Sequence, residues 1–481
     1  MGAIKKIMMG AALIASNSCM LNAQNYDKQN ITLLGQWHSD TILAEPVHGI
    51  KYQSVWGYED KVKGKKYAII GSTSGTYFIE ITNPAAPVVR DYVPGKRSKC
   101  IWHEYKTYGK YLYAVSDDNP ANLQIIDMST LPGSVQVIHN ADSIFGRSHT
   151  IFIDGNKLYC GSPKSPVYGT SRMAVYSLAD PTHPVLLRRL EQDYPGDNVH
   201  DMFVRNDTVY VSAGYQGLFI YKFNSNNTFT LLAALTNYPD QGYNHSSYLT
   251  SDGKTLVFCD EVPAGMGVKS LDVSDLQNIS VLKTFRTAPI VTPHNPYIIG
   301  NNDLFIAYYQ DGLQVYNIQD PANPVRSGYF DTDTLNNASN NYPDAYHGCW
   351  GAYVDFGANL ILASDMQNGL YVLDASSAMT GINNKRENNI TVRVSPNPMM
   401  EKTVIEIGNS MEYGTRNMGH GIFILFDVLG NEVKRMQVTP AGNGNTRIEL
   451  MREDLRAGIY FYKIYFESGN KINAGGKIVV Q

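Results

Sequence analysis

Between residues 30 and 378 apolar and polar positions alternate in short runs, and clusters of Gly, Asn, Asp, Ser and Pro interrupt them. Period-two alternation predicts β-strands, and the clusters predict tight turns between them. One pattern recurs seven times: a small or polar lead-in, an alternating strand, then a turn rich in Asp, Asn, Ser and Pro. Typical copies are "GTYFIEITNPAAPV" at 75–88, "RMAVYSLADPTHPV" at 172–185 and "GLQVYNIQDPANPV" at 312–325. The copies start at 75, 122, 172, 217, 267, 312 and 369, and so lie 45 to 57 residues apart. That spacing suits a four-stranded propeller blade and is too long for leucine-rich or tetratricopeptide repeats.

Each unit reads as four strands. The third offers "TIFIDG", "KLYCGS", "MAVYSL" and "PVLLRRL". The first two strands of a unit are the most apolar, as burial on both faces requires. The last one tolerates charge, as Arg188 and Arg189 show. The seventh copy stops after its third strand near Ala375, whereas "NITLLGQWH" at 30–38 reads as a fourth strand with no partners before it. The sequence therefore predicts an all-β chain with a seven-bladed β-propeller over 30–378, closed by its N-terminal strand. Closure removes open sheet edges.

The motifs "LQIIDMS" and "LQVYNIQDPANPV" resemble LVIVD repeats. With "VWGYEDKVKGKKYAIIGST" and "PHNPYIIGNNDLFIAYYQDGLQVYNI", the whole array resembles the choice-of-anchor B family. The resemblance implies a propeller but no reaction, because that family is named for its varying C-terminal anchors.

Beyond the array, "MTGINNKRENN" is polar and unpatterned, and 379–391 reads as a linker. Alternating strands over 392–481 predict a small immunoglobulin-like β-sandwich. Its "SPNP", "FDVLGNEVKRM", "LRAGIYFYKI" and terminal "KIVV" resemble the type A C-terminal sorting domain of the type IX secretion system of Bacteroidetes. The resemblance implies that residues 392–481 engage the secretion machinery and are removed on the way to the surface or medium.

At the other end Lys5 and Lys6 precede the apolar run "IMMGAALIA", and "LNA" ends at Ala23, so 1–23 reads as a cleaved signal peptide. The run is shorter than the roughly 20 apolar residues of a membrane span. No later segment reaches that length, so the mature chain is expected to cross to the periplasm and end secreted or on the outer cell surface, without a transmembrane helix. Cys19 raises a lipoprotein alternative, but "SNSC" lacks the usual aliphatic residue. A net charge of −4 with 17% charged residues gives no basic footprint for nucleic acid. Cys100, Cys160, Cys259 and Cys349 remain after cleavage. They permit two disulfides, but Cys160 and Cys259 sit in apolar strand patterns and read as buried thiols.

Candidate chemistry lies at the strand entrances. His103, His149, His200, His245 and His294 occupy one position in units two to six, and Trp56 and Trp350 stand near it in units one and seven. Trp102 adjoins His103. On a propeller these residues would ring one mouth of the central channel. Three roles compete for them. As structural residues they would pair with aspartates in neighbouring turns, for which Asp117, Asp260 and Asp311 are placed. As a metal site, His149, His200, His245 and His294 would offer imidazole nitrogens to a transition metal. As a ligand mouth, the tryptophan faces and imidazoles would take an extracellular glycan or protein. No nucleophile elbow, zincin motif, P-loop or C-x-x-C pair is present, and no cofactor is predicted outright. Glu104, Asp201 and Glu261 are the carboxylates near the mouth. The reading is a binding module rather than an enzyme, with a metal-assisted hydrolase or lyase of extracellular polymers as the alternative.

Overall fold

The computed structural model describes residues 26–118, 120–196, 198–333, 346–379, 390–409, 421–428, 431–438, 446–466 and 472–481. The expected signal peptide at 1–23 lies outside these residues, as does most of the expected linker. The protein is all-β. Among the described residues the helical content is a single 3-10 turn, Leu190–Gln192. The chain divides into two compact units, Met1–Thr380 and Gly381–Gln481.

In the first unit, small antiparallel sheets of four or five strands follow one another along the chain. The third sheet runs Thr150–Asp154, Lys157–Gly161, Met173–Ser177 and Val185–Arg189 in spatial order, which matches the four strands expected there. The N-terminal strand Thr32–Trp37 pairs with Gly369–Asp374, with Thr32 opposite Asp374 and Trp37 opposite Leu370. A two-residue strand not foreseen in the sequence, Lys28–Gln29, pairs with Tyr329 and Phe330 of the preceding sheet.

The first strands pack side to side in series. Tyr52–Asp60 packs on His103–Tyr108, which packs on Thr150–Asp154 and so onward through Asp201–Arg205, Asn244–Leu249 and Pro293–Ile299. Cys349–Tyr353 comes last in the series and packs against Tyr52–Asp60. Adjacent sheets share apolar faces. Val115 and Ile125 of one sheet meet Ile151, Leu158 and Tyr176 of the next, all buried. Tyr159 and Val175 of that sheet meet Val204, Val211 and Tyr221 beyond it. A strand buried from both sides cannot alternate, which explains continuous apolar runs such as Leu256–Val257–Phe258–Cys259.

Two local devices explain the repeat. The lead-in glycine is required by geometry at Gly217 and Gly369, where φ is +91° and +89°. A Cβ there would lie 2.3 Å from the Leu235 carbonyl oxygen and 2.5 Å from that of Trp37. The Asp or Asn that ends the third strand caps its turn. Asp127, Asp272, Asn317 and Asp374 each accept the backbone N–H two residues on, at 2.7–2.9 Å. Cys100, Cys160, Cys259 and Cys349 are free and buried, so neither permitted disulfide forms.

The second unit holds two antiparallel sheets. One joins Ile390–Ser395, Lys402–Asn409 and Thr446–Met451. The other joins Glu432–Val438, Gly421–Phe426, Gly458–Phe466 and Ile472–Val480. Ile405 and Ile448 of the first sheet share one core with Phe423, Leu425 and Ile464 of the second. No helix among the described residues is long and apolar enough to cross a membrane.

Candidate functional site

The entrances of the first strands surround a cavity of about 130 Å³, lined by Trp102, His149, His200, His245, His294 and Trp350 among others. Irregular register turns several of these side chains inward. The pairing of Asn244–Leu249 with Thr255–Asp260 skips at His245, the next sheet skips at His294, and the one after skips at Trp350. A bulge inserts one residue and re-aims its side chain. The rings then follow one another: His149 to His200 4.3 Å between centroids, His200 to His245 4.4 Å, His245 to His294 4.3 Å and His294 to Trp350 4.5 Å.

The imidazoles are joined head to tail through the backbone. His200 Nδ1 stands 3.0 Å from the His245 carbonyl oxygen, His245 Nδ1 3.0 Å from that of His294, and His294 Nδ1 2.6 Å from that of Trp350. A carbonyl oxygen only accepts, so in these three residues Nδ1 carries the proton and Nε2 keeps its lone pair. Burial holds His200 and His245 well below the ordinary imidazole range, reinforced by the neighbouring imidazoles. Burial also lowers His294 to about 3. His149 differs. Burial opposes its charge, but Asp117 overcomes that through a 3.0 Å hydrogen bond to Nδ1 and its own charge, and His149 is raised. Asp117, also bound by Arg147, is correspondingly lowered against its burial.

Of the three aspartates placed for pairing, Asp117 therefore meets a histidine. Asp260 instead binds Lys269 at 2.6 Å, in a pair fully shielded from solvent, and accepts from the Tyr238 hydroxyl and the Gly242 N–H. Asp311 is raised, chiefly by burial.

Two expected members of the ring, His103 and Trp56, stand outside the row of neighbouring rings, although His103 still lines the same cavity. Trp102 adopts φ +61°, a conformation rare for a bulky residue. Its ring stacks on Trp350 at 5.0 Å and 27°, so Trp102 takes the place expected for His103. The His103 ring lies parallel to Tyr105 at 6.3 Å, and burial lowers its pKa to about 4. Gly71 makes room for this packing, because a Cβ there would meet Tyr105 Oη at 2.8 Å and His103 Cβ at 3.0 Å. Trp56 lies deeper. It lines a second cavity of about 260 Å³, which shares Glu104, Thr150, Asp201 and Asn295 with the first. In register, Gln53 is the residue of unit one that matches the ring position.

The second cavity was not foreseen. Two residues beyond the shared polar level, each first strand contributes one side chain: Trp56, Lys106, Phe152, Phe203, Tyr248, Tyr297 and Tyr353. Lys106 Nζ stands 4.2 Å from the Trp56 ring centroid, and Trp56 Nε1 donates to Thr107 at 3.1 Å. The period-two step along a strand is the signal that finds this collar once the strands are aligned. At the shared level Ser54 donates to Glu104 at 2.6 Å and Thr150 to Asp201 at 2.7 Å. Burial, aided by the Glu104 charge, raises Asp201.

Sequence reasoning assigned Glu261 no partner in the ring. It follows the strand Thr255–Asp260, and its Oε2 lies 3.8 Å from His245 Nε2 while Oε1 accepts the Tyr309 hydroxyl at 2.8 Å. His245, Glu261 and His294 bring ligand atoms within 4.8 Å of one another. His149 and His200 stand outside that set.

Residues 393–481 match the secretion system C-terminal sorting domain. That match supports export through the type IX secretion system to a secreted or cell-surface destination, and contact of the tail with the secretion machinery. No curated protein matches the chain. Among solved structures, the chain is similar to PorZ of Porphyromonas gingivalis, described as an essential bacterial surface component of the type IX secretion system. The identity is 11% and the TM-score 0.44, over 87% of this chain and 58% of that one. A protein from Lactobacillus plantarum is similar at 10% identity and TM-score 0.46, over 83% of this chain and all of that one. Neither likeness is close enough to imply a shared fold.

Proposed function

We propose that the chain is an exported binding protein, released or held at the cell surface. In this reading residues 30–378 are a seven-bladed β-propeller of the LVIVD-repeat, choice-of-anchor B kind. Residues 379–391 are a linker to an immunoglobulin-like sorting sandwich at 392–481, and 1–23 are a signal peptide. The side-to-side series of first strands and the pairing of Thr32–Trp37 with the last sheet support the propeller.

The ligand in this reading is an extracellular glycan or a protein segment, bound at the cavity where the first strands begin. One observation carries it: Trp102 and Trp350 stack beside a row of imidazoles whose Nε2 atoms are fixed as acceptors. Flat apolar faces beside oriented acceptors suit a sugar ring, which offers C–H faces and hydroxyl donors. The test is calorimetric titration of the exported protein with surface polysaccharides and their oligosaccharides. Trp102→Ala and Trp350→Ala should each weaken binding by at least about tenfold, or about 1.4 kcal/mol. Equal affinity in both variants would exclude this mouth as the binding site.

A second reading, a metal-assisted hydrolase or lyase of extracellular polymers, is favoured by the raised, buried Asp201 at the same cavity as Glu104. Two carboxyl groups at one cavity, one of them raised by burial, are the material from which a general acid and its partner are built. New chain ends in a polymer digest, lost in Asp201→Asn, would select this reading over simple binding.

A further inference from the structure

In the imidazole row His200, His245 and His294 share the same backbone hydrogen bond, and two carboxylates approach it: Asp117 at Nδ1 of His149 and Glu261 near Nε2 of His245. Glu261 reaches the row between His245 and His294. Its Oε2 lies 3.8 Å from His245 Nε2, too far for a hydrogen bond and close to the spacing of two groups that share an ion. With Zn–N and Zn–O bonds of about 2.0–2.2 Å, ligands of one tetrahedral ion stand roughly 3.3 Å apart. The three donor atoms lie within 4.8 Å of one another.

The supporting hydrogen bonds are those a metal site needs. His245 and His294 each direct Nδ1–H at a backbone carbonyl, which fixes the ring and leaves Nε2 to bind. The Tyr309 hydroxyl donates to Oε1 of Glu261 and holds the other oxygen toward His245. All three side chains are buried, and two of them sit at register skips of rigid strands.

We infer that His245, His294 and Glu261 hold one divalent transition ion of the zinc class, with a coordination position open to the cavity that Trp102 and Trp350 also line. Two neutral imidazoles and one carboxylate suit zinc, copper or nickel and disfavour calcium and magnesium, which take oxygen ligands. Three protein ligands leave a place for an oxygen of the bound ligand. The inference deepens the binding reading and rests on the same cavity.

The test strips the exported protein with a chelator, reloads it with Zn²⁺, and counts metal after gel filtration by elemental mass spectrometry. One equivalent is expected. Outer-shell losses already weaken metal sites by about 10–100-fold, so His245→Ala and Glu261→Gln should each weaken Zn²⁺ binding by roughly 100-fold or more. His183→Ala, at an exposed histidine paired with Asp180, should keep the full equivalent. Cobalt loading of the unmodified protein gives a readout that needs no variant to fold. Visible bands of a four- or five-coordinate nitrogen and oxygen site are expected. Less than a tenth of an equivalent of zinc, retention in both ligand variants, or a thiolate charge-transfer band would overturn the inference. Glycan binding by metal-free protein that still depends on Trp102 would overturn the metal site and leave the binding reading intact. Stoichiometric metal without any ligand would do the reverse.

Discussion

At the scale of single residues, the histidines differ in what their charge would do. The native state holds His294 at about 3, whereas an unfolded histidine titrates near ~6.5. Between those values the unfolded chain binds the extra proton, so His294 favours unfolding increasingly as pH falls from ~6.5 toward about 3. The linkage amounts to about 1.4 kcal/mol per pH unit across that window. His149 has the opposite sign. Its raised pKa contributes stability that is full below ~6.5 and is lost as pH rises through the native value. Urea unfolding of His294→Gln beside the parent isolates the first effect. The parent should lose stability relative to the variant by roughly 1–2 kcal/mol between pH 7 and pH 5. A constant difference across that range would show that His294 titrates normally. The histidines were legible as a row because each stands at a strand entrance. The exchange of His103 for Trp102 was not, because it follows from a left-handed backbone at Trp102 and from space left by Gly71. Trp56 was misplaced for a related reason. The first strand of unit one skips register between Tyr52 and Val55, and an irregularity of that kind leaves no mark in a one-dimensional pattern.

At the scale of elements, the repeat was legible because its glycines and aspartates perform the same backbone task in successive sheets. The orphan strand was legible as well, since "NITLLGQWH" carries a fourth-strand pattern where the seventh unit lacks one. What could not be read is how close that strand comes to the next sheet. A Cβ at Gly35 would lie 1.9 Å from the Pro84 carbonyl oxygen, in the turn between the third and fourth strands of the first sheet. The contact joins the two ends of the series through backbone, which cannot swing aside as a flexible side chain can. Gly35→Ala should therefore lower stability by about 1–3 kcal/mol, the usual penalty for overpacking. Gly64→Ala is a comparison of limited kind: its site has open space, but its φ of +62° makes that substitution strained for backbone reasons alone. Gly196, with open space and no positive φ, is the better control and should change melting little. Equal melting of the Gly35 and Gly196 variants would mean that the N-terminal strand does not bear on the first sheet.

At the scale of the whole molecule, the chain divides into two compact units, and the match to a secretion tail falls on the second. The tail matches a sorting domain, and its two sheets close on their own core of Ile405, Phe423, Leu425, Ile448 and Ile464. A self-contained core lets the tail fold and be recognised without help from the rest of the chain. The first unit likewise has cores of its own, with Val204, Val211 and Tyr221 buried among residues of that unit. Deleting residues 393–481 should therefore leave a folded first unit stranded in the periplasm. Fractionation should find it there with an unchanged melting transition, and the medium and outer surface should lack it. Mass spectrometry of the exported parent should in turn recover peptides up to the linker and none from 393–481. Export of the truncated chain, or tail peptides at full yield on the exported protein, would mean that residues 393–481 are a permanent domain with a task outside the cell.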